Sequence, residues 1–302
     1  MDAPLRFGLV TPIVTLLGRE KTWEADAGPA ELREIAVAAD RLGFEFLTCS
    51  EHVGIPTDVA PVRGSRYYDP LATFGFMAAL TTRIRFLTNI LVLPYHHPLS
   101  VAKRYGTLDR LCDGRLMLGV GVGSLEEEFN LLGAQFEGRG AIYSEALTAL
   151  RASFGRREPV FEGEHFSFSD FIIDPCGVQQ SVPIWLGGRT ALSLRRALAA
   201  ADGWTPFSLG SDEVADMLAQ ARGLPEWKER TAPFDVALGP AQQADVTQPD
   251  GVERLVDGVA SAAKAGASVI NLGTRSTSLA HYLDQLETIA ARVMPRFSDS
   301  GN

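Results

Sequence analysis

Between Thr82 and Gly123 the chain reads TRIRFLTNILVLPYHHPLSVAKRYGTLDRLCDGRLMLGVGVG. An apolar run from Ile84 to Leu93 meets a Pro-containing loop, and a helical pattern follows with apolar positions at Val101, Tyr105, Leu108 and Leu111. Asp113-Gly114 closes that helix, and a second apolar run begins at once. This is strand, crossover helix, strand, with a glycine-rich end where the second strand stops. The loops after such strands are where α/β folds place their ligands.

The same alternation extends in both directions. Upstream, a strand at Leu5 to Val10 precedes a helix at Pro29 to Leu42, whose apolar positions are Leu32, Ile35, Ala36 and Ala39. Gly43 stops that helix, Phe44 to Cys49 reads as a strand, and Pro70 to Leu80 as a helix. Downstream, the pattern predicts a helix at Ile142 to Phe154, strands at Val182 to Leu186, Trp204 to Phe207, Phe234 to Leu238 and Val269 to Leu272, and helices at Ala191 to Ala201, Asp212 to Ala221, Gly251 to Ala265 and Leu279 to Val293. Eight strand–helix units fit a closed (β/α)8 TIM barrel better than an open sheet. Two segments interrupt the alternation: Ser124 to Gly140, and Arg156 to Val182, whose short aromatic runs broken by turns suggest a β-hairpin. With no internal repeat and no low-complexity linker, residues 1–302 read as a single domain with insertions near 124–140 and 156–182 and a tail that frays after Pro295.

Composition narrows the function. The formal charge of -9 argues against nucleic acid as the main partner, because phosphate backbones require a basic surface. No apolar run approaches the length of a membrane span, and the N-terminus enters a strand pattern without the features of a signal peptide, so the expected setting is the cytoplasm. Cys49, Cys112 and Cys176 show neither a disulfide framework nor zinc spacing, and no metal site is expected.

Four groups of residues could carry chemistry. Ser50-Glu51-His52 follows a strand directly, which in a barrel puts it on the catalytic rim. His52 can exchange a proton near neutral pH or simply hydrogen-bond a loop; the rim position favours the first reading. Glu51 faces away from His52 on an extended backbone, which suits it to binding backbone amides. His96-His97, between Pro94 and Pro98, reads as loop structure or pocket lining. The run Gly119-Val-Gly-Val-Gly123 allows either close approach of a ligand or tight strand packing. In Pro183-Ile-Trp-Leu-Gly-Gly-Arg-Thr190, a strand ends in Gly187-Gly188, and Arg189 and Thr190 begin a helix whose free amides suit a phosphate. Arg195 and Arg196 read as ordinary solvated helix charges.

Taken in order, Arg6-Phe-Gly-Leu, Ser50-Glu-His, Thr82-Arg-Ile-Arg-Phe-Leu-Thr, Leu108-Asp, Asp113-Gly-Arg-Leu, Gly119-Val-Gly-Val-Gly, Glu127-Glu-Phe, Pro183-Ile-Trp-Leu-Gly-Gly and Ala201-Asp-Gly-Trp resemble the luciferase-like monooxygenase superfamily, in particular its actinobacterial-type branch that uses the deazaflavin coenzyme F420. The resemblance runs from about Arg6 to Trp204 and weakens beyond. It implies a barrel that binds a flavin or deazaflavin at the strand C-termini, with a cis peptide at Asn89-Ile90 pressing on the cofactor ring. It implies that Gly121 and Gly123 lie near the cofactor and that Gly187, Gly188, Arg189 and Thr190 contact its phosphate. It places His52 facing the reacting carbon of the substrate. Some relatives carry a glutamate right after the glycine-rich strand; Ser124 stands there, which argues against sugar-phosphate dehydrogenation. The implied activity is F420-dependent hydride transfer to or from a small organic substrate, by a homodimer. An FMN-dependent monooxygenase using oxygen is the first alternative, and a non-catalytic flavin- or deazaflavin-binding protein the second. The loop Gly54 to Tyr68 and the aromatics of Phe161 to Phe171 are expected to line the pocket.

Overall fold

The computed structural model describes residues 4–16, 22–241 and 243–298. Eight parallel strands form the barrel: β1 (Arg6–Leu9), β2 (Phe46–Cys49), β3 (Arg85–Thr88), β4 (Leu116–Gly121), β5 (Ile184–Gly187), β6 (Gly203–Thr205), β7 (Asp235–Leu238) and β8 (Val269–Leu272). They neighbour one another in chain order. The ring closes where β1 pairs with β8, Arg6 opposite Val269 through Leu9 opposite Leu272. The β4–β5 pairing sets Leu118 beside Ile184 and Val120 beside Leu186. The outer helices are α1 (Pro29–Leu42), α2 (Pro70–Ala78), α3 (Pro98–Leu111), α4 (Arg139–Ser153), α5 (Ala191–Ala200), α6 (Ser211–Ala221), α7 (Gly251–Lys264) and α8 (Leu279–Arg292).

Local chemistry sets these boundaries. Proline occupies the first turn of α1, α2 and α3, where its missing amide hydrogen has no intrahelical partner to lose. The Asp69 side chain caps α2 by accepting from the Ala72 amide. Gly43 ends α1 in the left-handed conformation, with φ of 83°. Helix α1 buries Leu32, Ile35, Ala36 and Ala39, the four positions its periodicity marks.

Two layers of core hold the barrel. Most buried side chains lie between strands and helices. A smaller cluster of Phe46, Leu87, Met117, Trp185, Ala237 and Val269 fills the inside of the ring. There the Phe46 ring meets Trp185 edge-on, 5.6 Å between centroids. Gly8 exists to admit this plug, since a Cβ at that position would lie 2.1 Å from the Phe46 ring.

The third strand differs from the continuous run to Leu93 that its apolar character predicts. It stops at Thr88, turns through a cis peptide at Asn89-Ile90, and resumes as Leu91–Val92, paired with Val120 and Gly121 of β4. Ser124 to Gly140 contains a short helix, Glu126–Leu132. The second insertion contains the expected hairpin, Phe161–Glu162 against Ser167–Phe168. The buried carboxylate of Asp109 on α3 ties it down by accepting from the amides of Val178 and Gln179. The tail expected to fray after Pro295 stays docked further on: the Leu5 amide donates to the Phe297 carbonyl, and Arg296 pairs with Glu253. Residues 299–302 lie outside the described residues. Among the described residues no helix is long and apolar enough to cross a membrane, and no cluster of three or more His, Cys, Asp and Glu side chains could hold a metal ion.

Candidate active site

A cavity of about 1090 Å³ opens at the C-terminal ends of the strands. Its wall includes His52, Asn89, Ile90, Gly121, Gly123, Gly187, Gly188, Arg189 and Thr190, so all nine residues nominated from sequence come together. They arrive from the ends of β2, β3, β4 and β5, which the ring sets side by side.

Each residue of Ser50-Glu51-His52 has its own task. The Ser50 hydroxyl donates to the Asn89 carbonyl at 2.7 Å. The Glu51 amide donates to the Ile90 carbonyl, and the Glu51 carboxylate accepts from the Val92 amide at 2.7 Å. These two side chains therefore clasp the bend in the third strand from both sides. The other Glu51 oxygen lies 2.7 Å from His96 Nε2, and His97 caps α3 through the Leu99 amide. Both loop histidines thus serve structure rather than the pocket.

His52 turns into the cavity, and its partner is Glu128, not its neighbour Glu51. His52 Nδ1 lies 2.8 Å from Glu128 Oε2. That carboxylate also accepts from the Tyr95 hydroxyl at 2.9 Å and from the Val53 and Gly54 amides at 2.6 and 3.3 Å. Its side chain is fully buried. Burial opposes the charge, but the bonds from His52, Val53 and Tyr95 outweigh it and hold the carboxyl below the ordinary glutamate value. Glu128 is therefore a fixed anion that orients His52 and is not itself a proton donor. The Tyr67 ring closes the other side of the imidazole, edge-on at 4.5 Å. Ser124 lines the cavity in the irregular stretch after β4; Glu128, in the helix Glu126–Leu132 that follows, supplies the carboxylate.

The glycine run is built for packing. A Cβ on Gly119 would lie 2.0 Å from the Thr88 carbonyl oxygen, and one on Gly121 would lie 2.0 Å from Ile90 Cδ1. Gly123 takes φ of 76° with Phe129 and Val92 pressed against it. Ile90 also reaches across to Gly187, where a Cβ would stand 3.1 Å from its Cγ2. Missing side chains on β4 and β5 thus make the seat for Ile90.

At the far wall, Gly188 has φ of 152° and Thr190 caps α5. The Thr190 and Ser193 amides are engaged in a reciprocal capping pair, so they are not free for a phosphate. The first-turn amides of Ala191 and Leu192 make no hydrogen bond among the described residues, and side chains stand beside them as further donors. Arg189 lies over the Phe207 ring at 5.8 Å. Arg196 lines the cavity rather than standing as a solvated charge. The Tyr143 hydroxyl is buried with no hydrogen-bond partner, and burial raises its pKa while the Arg196 charge opposes that rise. Sequence reasoning missed Tyr143 because its place on α4 matches the helix's apolar stripe.

The pocket-lining expectation is half corrected. Arg63 and Tyr67 of the Gly54–Tyr68 loop do line the cavity, but no residue of Phe161 to Phe171 does. Glu145 on α4 accepts from the amides of Glu164, His165 and Phe166, and the His97 ring meets Phe166 edge-on at 5.5 Å. The hairpin is thereby held against α3 and α4, outside the barrel mouth.

A family model described as luciferase-like monooxygenase matches residues 5–295. An uncharacterised protein of Mycobacterium tuberculosis is 30% identical over 275 residues, which is 87% of this chain and 94% of that one. The F420-dependent glucose-6-phosphate dehydrogenase of Intrasporangium calvum is 29% identical over 211 residues, 66% of this chain and 61% of that enzyme. Among solved structures, the oxygenating constituent of 3,6-diketocamphane monooxygenase from Pseudomonas putida, in complex with FMN, matches with a TM-score of 0.74 at 15% identity, over 98% of this chain and 99% of that one. At that identity the likeness speaks to the fold.

Proposed function

The chain belongs to the luciferase-like monooxygenase family, and from that premise we propose that it is an F420-dependent oxidoreductase moving a hydride between the deazaflavin and a small organic substrate. The observation that carries this reading is the division of the cavity. On the β2 side stands a histidine oriented by a buried anion; on the β5 side stand cationic and hydroxyl donors without acidic partners among the described residues.

The lining fits a phosphate-bearing ring cofactor. Arg189, Arg196 and the orphaned Tyr143 hydroxyl would hold the phosphate beside the bare edge of Gly187 and Gly188. Asn89 and Ile90 would flank the ring, with Gly121 and Gly123 behind them. When bound, the cofactor supplies hydride transfer. The chain supplies the rest. The cavity walls hold substrate in one orientation, which removes part of the entropic barrier. His52 Nδ1 is committed to Glu128, and its Nε2 makes no hydrogen bond among the described residues. Nε2 is therefore the atom that exchanges a proton with the substrate oxygen. A histidine with one nitrogen held by a buried carboxylate and the other facing the cavity favours catalysis over mere carriage of the cofactor. The cytoplasmic setting, the homodimer and the absence of nucleic acid or membrane as partner belong to the same proposal.

Titration of the purified protein with F420 and with FMN, followed by cofactor fluorescence, tests it. The expected result is tighter binding of F420, with catalysed reduction or oxidation of the deazaflavin by an alcohol or carbonyl compound. Preference for FMN with oxygen consumption would replace this reading with the monooxygenase, and binding without turnover would replace it with the carrier.

A further inference from the structure

Arg63 is a charge on the β2 side of the cavity that the proposed chemistry does not use. It ends the short helix Ala60–Arg63 and lines the cavity with His52, Tyr67 and Tyr95. The residue is half-buried. Its carbonyl accepts from the Tyr67 hydroxyl at 2.8 Å, but among the described residues its guanidinium has neither a hydrogen bond nor an ion pair. Arg66, three positions on, shows the usual arrangement instead, donating to the Glu24 and Ala25 carbonyls. Arg63 also lies close to the catalytic cluster: burial lifts the pKa of both Tyr67 and Tyr95, and the Arg63 charge acts on both in the opposite direction.

A guanidinium in a cavity wall with no protein acceptor among the described residues is free to pair with an acceptor that enters the cavity. Its planar fork matches a carboxylate bidentately. The two nearby protein carboxylates do not fill that role. Glu51 is bonded to the Val92 amide and His96, and Glu128 to His52, Tyr95 and two amides. Their negative charge does bear on the choice of ligand. It disfavours a phosphate dianion at this end, whereas the β5 side carries Arg189 and Arg196 together. We propose that the substrate is a small organic acid whose carboxylate pairs with Arg63, which brings its reacting carbon–oxygen group beside His52. This deepens the functional reading above and rests on it.

The test compares small acids with their methyl esters: pyruvate, 2-oxobutyrate, phenylpyruvate and lactate. Binding is measured by calorimetry, with and without F420, to the unaltered protein and to Arg63→Gln and Arg63→Lys. The expected result is acid binding at least about tenfold tighter than ester. Arg63→Gln should erase that preference, Arg63→Lys should keep part of it, and F420 affinity should stay within roughly threefold in both. Acids binding no tighter than esters, or an unchanged preference in Arg63→Gln, would overturn the proposal. Loss of F420 affinity by tenfold or more in Arg63→Gln would also overturn it, assigning the guanidinium to the cofactor tail. Failure of the unaltered protein to bind either F420 or FMN would instead defeat the functional reading, while the acid–ester comparison on the cofactor-free protein would still decide the role of Arg63.

Discussion

Glu128 Oε2 lies 2.8 Å from His52 Nδ1, although 76 positions separate the two residues in the chain. The pair joins the loop after β2 to the helix after β4, across the bend in β3. It fixes which imidazole nitrogen faces the cavity.

His52→Ala should lower turnover by roughly 10²-fold or more, the usual weight of a general acid–base group. Cofactor affinity should change little, because His52 stands on the opposite side of the cavity from Arg189 and Arg196. Steady-state kinetics and fluorescence titration of the same variant separate the two effects. Equal turnover would remove His52 from the chemistry.

Glu128→Gln should cost about 1–2 kcal/mol of stability, since a neutral amide oxygen replaces a buried anion that accepts from four donors. The cost should depend on pH. The Glu128 carboxyl titrates below its ordinary value of 4.5 in the folded protein. Its contribution is therefore full above that ordinary value and is lost as pH falls through the lower folded value. Urea unfolding of both proteins from pH 7 to pH 3.5 should show the difference between them shrinking at the acid end.

Gly121→Ala should destabilise the protein by about 1–3 kcal/mol, the range for overpacking, because the new methyl group meets Ile90 Cδ1. Pairing it with Ile90→Ala should recover part of that loss, since the obstacle is a side chain. Gly119→Ala offers no such rescue, as its obstacle is the Thr88 carbonyl oxygen. Thermal melts of the three variants test the distinction.

Tyr143→Phe should have opposite effects on stability and binding. Burying an unpartnered hydroxyl costs about 1–3 kcal/mol, so the cofactor-free variant should melt at the same temperature or higher. If that hydroxyl meets the cofactor phosphate, F420 affinity should fall roughly tenfold. A variant that melts lower and binds F420 normally would make Tyr143 a packing residue.

The sequence alone determined the eight strand–helix units. Apolar periodicity, Pro at helix starts and Gly43 at a helix end are local signals, and each acts within a few residues of the structure it sets. Local too was the position of Ser50-Glu51-His52 at a strand end, which put His52 on the rim. Only the tertiary structure decided what His52 is bonded to. Glu128 sits in a run of three glutamates at a helix start, and spacing does not tell which of them turns inward. Arg196 and Tyr143 look like a surface charge and a core aromatic until β4 and β5 pair and bring α4 and α5 to one wall. The reverse holds for the hairpin aromatics, which read as a pocket: Phe161, Phe166 and Phe168 pack against one another and His97 while Glu145 holds the hairpin outside the mouth, and Phe171 is exposed. Backbone pattern is written in neighbouring residues, whereas a site is assembled from residues far apart in the chain, and closure of the ring is what brings them within bonding distance.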